Sequence, residues 1–210
     1  MTKRRRLLAS VIAVCMILTM VPMSFTAFGA TYGDTSGHWA ESAIDKWSET
    51  GVIQGYDGYF RPDDNITRAE AATVLNNVLS YTETSSNTFS DVSSSDWYAD
   101  AALKLNAAGV LNGNGDGTMA PNANMTREEA ATAIARAFSV TSSQAAITQY
   151  GDYAQISDWA STYVGAMTGE GYIQGDNGQF RPQDNITRAE LITIIDNIVK
   201  LYVTSPTQIN

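Results

Sequence analysis

Three arginines occupy one place in a repeated phrase. They stand in Thr67-Arg68-Ala69-Glu70, Thr126-Arg127-Glu128-Glu129 and Thr187-Arg188-Ala189-Glu190. Thr-x-x-Glu ahead of an apolar run is a capping box, in which the Thr hydroxyl and the Glu carboxylate each accept from the other residue's amide. Each arginine therefore falls at N1, the first position of a helix. A helix start offers free amides and partial positive charge to an anion, and a guanidinium adds a two-pronged donor for a carboxylate. The chemistry this predicts is non-covalent capture of a carboxylate. The competing reading is an ion pair with a neighbouring Asp or Glu. A surface pair contributes about 0–1 kcal/mol, which does not by itself explain Arg at N1 in all three phrases.

Other candidate chemistry does not repeat. His38 is the sole histidine, and its counterparts are Asp96 and Asp158. A Ser/His/Asp triad would have to live in one repeat alone, so His38 reads as a loop residue. The run Asn112 to Gly117 imitates the start of a calcium loop, but its twelfth position is Ala123, where a bidentate Glu is needed. Gly113, Gly115 and Gly117 miss the dinucleotide spacing, because the third glycine comes one residue early. Asp63-Asp64 reads as a pair of solvated loop carboxylates, and Glu70, Glu129 and Glu190 as capping groups. Arg61 and Arg181 either line a binding groove or brace their loop, and their single replacement by Ala120 favours the brace. No catalytic residue, metal site or cofactor is expected.

The elements that must position these residues repeat as well. Trp39, Trp97 and Trp159 are 58 and 62 residues apart, and the arginines 59 and 61. So fixed a period indicates a repeat array. Each repeat opens with aromatic-x-Asp: Tyr32-Gly33-Asp34, Phe89-Ser90-Asp91, Tyr150-Gly151-Asp152. A first helix is expected next, with stripes Trp39/Ala43/Trp47, Trp97/Ala101/Leu105 and Trp159/Tyr163/Met167. It stops at Gly51, Gly109 or Gly171, where glycine takes the left-handed C′ conformation. A short extended piece and a turn follow, then the loop Phe60-Arg61-Pro62, Met119-Ala120-Pro121 or Phe180-Arg181-Pro182. The second helix buries Ala71/Val74/Leu75/Val78, Ala130/Ala133/Ile134/Ala137 or Leu191/Ile194/Ile195/Ile198. The opening Asp can cap the first helix or its turn. The repeats are assigned to 30–82, 88–140 and 148–203, with a polar tail at 204–210. About 50–60 residues bury little core alone, so the three are expected to pack as one domain.

Composition narrows the partners. The 210 residues carry 13 Lys+Arg against 22 Asp+Glu, a net charge of −9. Lys3, Arg4, Arg5 and Arg6 precede an apolar run from Leu7 to Val21, and Ala27-Phe28-Gly29 supplies the small residues of a cleavage site. Residues 1–29 thus read as an export signal, too short in its apolar part for the roughly 20 residues of a membrane span. The competing lipoprotein reading through Cys15 has Val14 where a lipobox usually has Gly or Ala. Cleavage after Gly29 leaves no cysteine and 9 bases against 22 acids, a balance that argues against nucleic-acid binding.

The ordered set of aromatic-x-Asp, Trp, Gly-Val-Ile-x-Gly, Phe-Arg-Pro and Ile-Thr-Arg-Ala-Glu resembles the S-layer homology motif, three times over residues 32–202. The second repeat departs most, with Met119, Ala120 and Glu128. The resemblance implies a mainly α fold: a pseudo-threefold assembly of three helix–loop–helix repeats around a central three-helix bundle, with short extended segments. It also implies that grooves between repeats bind a secondary cell-wall polysaccharide or peptidoglycan-linked glycan, commonly through a pyruvate ketal, and so hold an exported protein on the bacterial wall or surface layer. Arg68, Arg127 and Arg188 are then the carboxylate ligands, and Asp34, Asp91, Asp152, Trp39, Trp97 and Trp159 contribute to the grooves. The alternative is a structural envelope protein that works through association with other proteins.

Overall fold

A computed structural model describes residues 32–141 and 144–204. The expected export signal and residues 205–210 of the tail lie outside the described residues. Within them the chain is mainly helical, with isolated β-bridges in place of strands. Each repeat supplies a first and a second helix: α1 (Glu41–Glu49) and α2 (Arg68–Leu79), α3 (Ala99–Ala107) and α4 (Arg127–Phe138), α5 (Asp158–Gly169) and α6 (Arg188–Thr204). Short 3-10 turns at Gln144–Gln149 and Tyr153–Gln155 precede α5.

The local signals act where the sequence puts them. Gly51, Gly109 and Gly171 follow the first helices at φ of 75°, 73° and 75°, a conformation in which an L side chain is strained. Thr67 and Thr126 form complete capping boxes with Glu70 and Glu129. Thr187 and Glu190 exchange the same two bonds, at 2.9 and 3.2 Å. The second-helix stripes are buried as expected, except that Val74 is only half-buried.

Each first-helix stripe begins one residue later than expected. Trp39 and Trp97 lie ahead of their helices and Trp159 in the first turn of its own. The buried register is Ala40/Ala43/Ile44/Trp47, Tyr98/Ala101/Ala102/Leu105 and Ala160/Val164/Met167. Tyr163, expected in the core, is half-buried beneath the Arg136 guanidinium, 4.7 Å from its ring centroid. The other buried residues of the expected stripes keep their places, because i, i+4 periodicity fixes a face but not where that face begins.

The opening aromatic ring packs on the glycine that ends the extended piece. A Cβ on Gly55 would collide with the Tyr59 carbonyl and the Tyr32 ring, and one on Gly175 with the Gln179 carbonyl and the Tyr150 ring. That close approach explains why aromatic-x-Asp travels with Ile-x-Gly.

By contact density the described chain forms two compact units that do not follow the repeats. One takes the chain up to Asp64, the piece Asn77–Leu79 and the stretch from Thr187. Its core includes Ile44 and Trp47 of α1 and Ile195 and Ile198 of α6. The other takes Asn65–Asn76 and Ser80–Ile186. Within it the residues ahead of the three caps close a cycle of backbone bonds. Met125 donates to Ile66 (2.9 Å), Ile186 to Met125 (2.9 Å) and Ile66 to Ile186 (3.1 Å). All three side chains are fully buried, so these amides have one another where water is excluded.

Candidate functional site

The opening Asp of each repeat braces a loop; it does not cap the first helix. Asp34 accepts from the Phe60 and Arg61 amides at 2.9 and 2.7 Å. Asp91 accepts from Met119 and Ala120, both at 2.8 Å, and Asp152 from Phe180 and Arg181 at 2.8 and 2.7 Å. Both oxygens of each carboxylate are engaged. The second residue of each pair is left-handed, with φ of 59° at Arg61, 53° at Ala120 and 57° at Arg181. Such a conformation costs a non-glycine residue roughly 1–2 kcal/mol, and the paired charge-assisted bonds offset it. Burial pushes the Asp34 carboxyl up, but the Phe60 and Arg61 amides and the Arg61 charge outweigh it and hold its pKa below the usual value.

The helix starts are not open to an anion, contrary to the reading of free N-terminal amides. Arg68 and Ala69 donate their amides to the carbonyls of Ala123 and Pro121 at 2.9 and 3.0 Å. Arg127 and Glu128 donate to Asp184 and Pro182, and Arg188 and Ala189 to Asp64 and Pro62. The third amide goes to the Thr hydroxyl of the cap. In each case the carbonyls come from the loop of another repeat: one to two, two to three, three to one. The partners are more than fifty residues away, so no local pattern announces them.

The arginine side chains continue the same docking. Arg68 is 5% exposed and Arg127 4%, while Arg188 is half-buried. Each Nε donates to the carbonyl of the loop's first residue: Arg68 to Met119 (2.8 Å), Arg127 to Phe180 (2.9 Å), Arg188 to Phe60 (3.0 Å). Arg127 and Arg188 also donate to the Gln174 and Gln54 carbonyls, and their guanidiniums lie 5.5 and 4.6 Å from the Phe180 and Phe60 ring centroids. In the repeat where Met119 replaces phenylalanine, the Arg68 Nη1 pairs with Glu129 Oε1 at 2.6 Å.

Two sets of side chains are left facing solvent. Trp39, Trp97 and Trp159 are 62%, 67% and 51% exposed. Arg61 and Arg181, read from the sequence as braces, are exposed too, because the Asp carboxylates do the bracing. Asp provides the signal that could have revealed this. It persists in the second repeat after both Phe and Arg of the loop are gone, as expected of a group that holds only backbone.

The second repeat carries its own lock. Glu128 is buried and accepts from the Ser157 amide (2.9 Å), the Ser157 hydroxyl (2.8 Å) and Gln183 Nε2 (2.9 Å). In the other unit the buried Asp196 accepts from Lys46 (2.6 Å) and Trp47 Nε1 (3.2 Å), and pairs with Lys200 at 2.6 Å. His38 bonds Asp63 at 3.2 Å and accepts from the Ala40 amide, a loop role as expected. Among the described residues no group of acids and histidine is arranged to hold a metal ion.

Comparison with known proteins bears on what these parts do. The profile of the S-layer homology domain matches residues 31–72, 88–131 and 149–192. A surface-layer 125 kDa protein of Lysinibacillus sphaericus is 30% identical over 94% of this chain and 17% of its own length. A cellulosome-anchoring protein of Acetivibrio thermocellus is 35% identical over 69% of this chain and 34% of its own. An amylopullulanase of Thermoanaerobacterium thermosulfurigenes is 32% identical over 82% of this chain and 10% of its own. The chain thus spans between 10% and 34% of the length of these relatives.

Proposed function

The chain belongs to the S-layer homology domain family, and from that premise we propose that it is a non-catalytic anchoring module that holds to the bacterial envelope by binding a wall glycan. Its surroundings would be the cell surface, where the names of the surface-layer and cellulosome-anchoring relatives place those proteins. The ligand would be a secondary cell-wall polysaccharide carrying an acidic group, a pyruvate ketal being the one the family resemblance implies.

The observation that carries this reading is the triplet of exposed indoles. Trp39, Trp97 and Trp159 occupy equivalent positions and are at least half exposed. A large apolar ring kept in water three times over is unfavourable unless something covers it, and the face of a sugar ring is a fitting cover for an indole with its N–H left to hydrogen-bond. In the same proposal Arg68, Arg127 and Arg188 act with Asp34, Asp91 and Asp152 to fix the loops beside which a glycan would lie. Weak sites joined on one scaffold raise avidity by roughly 10²–10⁴ on a repeating polymer.

Isolated wall sacculi test this reading. The chain should sediment with intact sacculi and stay in solution once the secondary polymer has been extracted. Unchanged sedimentation after extraction would point to association with protein or bare peptidoglycan.

A further inference from the structure

We infer that Asn112 is a modification site: it deamidates spontaneously through the Gly113 nitrogen, ahead of the chain's other Asn-Gly pairs. This goes beyond wall binding and does not depend on it.

The run Asn112 to Gly117, which only imitates a calcium loop, holds two of the chain's three Asn-Gly pairs, Asn112-Gly113 and Asn114-Gly115; the third is Asn177-Gly178. Asn-Gly is the pair in which this reaction meets least hindrance, since glycine has no Cβ beside the attacking nitrogen. The repeats then set one pair apart. The positions equivalent to Asn112 are Gln54 and Gln174, whose longer side chains would have to close a six-membered ring. The amide of the glycine that follows is also guarded differently. In the first repeat the Gly55 amide donates to the Tyr32 hydroxyl at 3.0 Å, and Tyr150 covers Gly175 in the same manner. In the second repeat the ring is Phe89, still packed on Gly113 but without a hydroxyl. Among the described residues the Gly113 amide has no acceptor. Asn112 is exposed and Gly113 half-buried, so water reaches the pair. The labile side chain and the unguarded nitrogen thus coincide in one repeat.

The other two pairs are held. Asn114 donates its own amide to the Thr118 carbonyl (2.9 Å) and its Nδ2 to the Thr118 hydroxyl (3.1 Å), so cyclisation there must first break a side-chain bond. Asn177-Gly178 is the centre of a turn closed by two backbone bonds between Asp176 and Gln179, both 2.9 Å. The Gly178 carbonyl is fixed as well, by the Gly151 amide at 2.8 Å.

The chemistry needs only water. Base removes the Gly113 N–H proton and the nitrogen attacks Asn112 Cγ. The N–Cγ bond forms, the Cγ–Nδ2 bond breaks, and Nδ2 takes a proton from water and leaves as ammonia. Water then opens the five-membered imide at one carbonyl or the other, giving aspartate or isoaspartate at position 112. One amide and one water become one carboxylic acid and one ammonia, with no oxidant or cofactor.

Ageing the full chain in warm neutral buffer, followed by digestion and mass spectrometry with isoaspartate-resolving fragmentation, tests the site. Asn112 should deamidate about fivefold faster than Asn114 or Asn177, and Phe89→Tyr should slow it by about the same factor, the effect of a hydrogen bond of ordinary net strength. In denaturant the three rates should converge. In the first repeat, Gln54→Asn should stay slow, and Gln54→Asn with Tyr32→Phe should react at position 54 about fivefold faster than the single variant. Asn114 or Asn177 reacting first in the folded chain would overturn the inference. So would an Asn112 lead that persists undiminished in denaturant, a folded Phe89→Tyr chain that ages like wild type, or equal rates for the two first-repeat variants.

Discussion

The loop of the first repeat and that of the second share a backbone and differ in what they present to solvent. Both have a left-handed residue held by an Asp that accepts two amides, and both give carbonyls to the N1 and N2 amides of a second helix. In one the left-handed residue is an exposed arginine, in the other an alanine. The group under the docking arginine has changed as well: Arg188 lies over the Phe60 ring, whereas Arg68 meets Met119. Scaffold and surface have thus separated. In these two loops what is shared holds backbone, and what differs at the left-handed position faces solvent.

If that separation is right, stability should follow the buried partners and binding the exposed ones. The largest loss is expected where a repeat carries its own buried charge. Asp196→Ala leaves the buried Trp47 indole N–H without its acceptor and removes both lysine pairs, and should cost about 3 kcal/mol in chemical denaturation, although the equivalent residue of the second repeat is already Ala135. This carboxyl also gives a pH signature. Burial pushes its pKa up, but Lys200 and Lys46 outweigh burial and hold it below the usual carboxylate range. A depressed folded pKa means the contribution is complete above the unfolded value of about 3.9 and is lost as the pH falls through the lower folded value. Denaturation midpoints followed into acid should therefore fall less steeply in Asp196→Asn than in wild type.

Next in size comes the docking arginine. Arg127→Ala should destabilise by about 2–3 kcal/mol, since it removes charged hydrogen bonds to two carbonyls, and Arg127→Lys should recover only part because it lacks the fork. Asp91→Asn comes after it, at about 1–2 kcal/mol. An effect comparable to that of Asp34→Asn would show that the brace is indifferent to the loop's side chains. Ala120→Gly should raise stability by up to about 1 kcal/mol by relieving the left-handed backbone. Arg61→Gln should change melting by no more than about 0.5 kcal/mol; a larger loss would put that arginine back among the braces.

Much of this construction is legible in the sequence because it is local. Thr67 and Glu70 are three residues apart, Gly51 ends the helix it follows, and the apolar stripes of the second helices repeat every three or four positions. The rest depends on distant partners. The carbonyls that occupy the helix-start amides are supplied by another repeat, so N1 looks open in the sequence and is closed in the fold. Trp39 shows why a stripe can mislead: it stands four residues before Ala43, in phase with the helix, but ahead of its first turn and in water. Arg61 and Arg181 look like braces in the sequence because the true braces, Asp34 and Asp152, stand 27 and 29 residues earlier in the chain.

Anchoring through an acidic glycan is tested most directly by titrating the chain with purified wall polymer before and after chemical reduction of its carboxyl groups. Reduction leaves the sugar backbone intact and removes the negative charge, so affinity should fall at least tenfold, about 1.4 kcal/mol. Equal affinity for the two polymers would contradict acid recognition and leave only the indoles to account for binding.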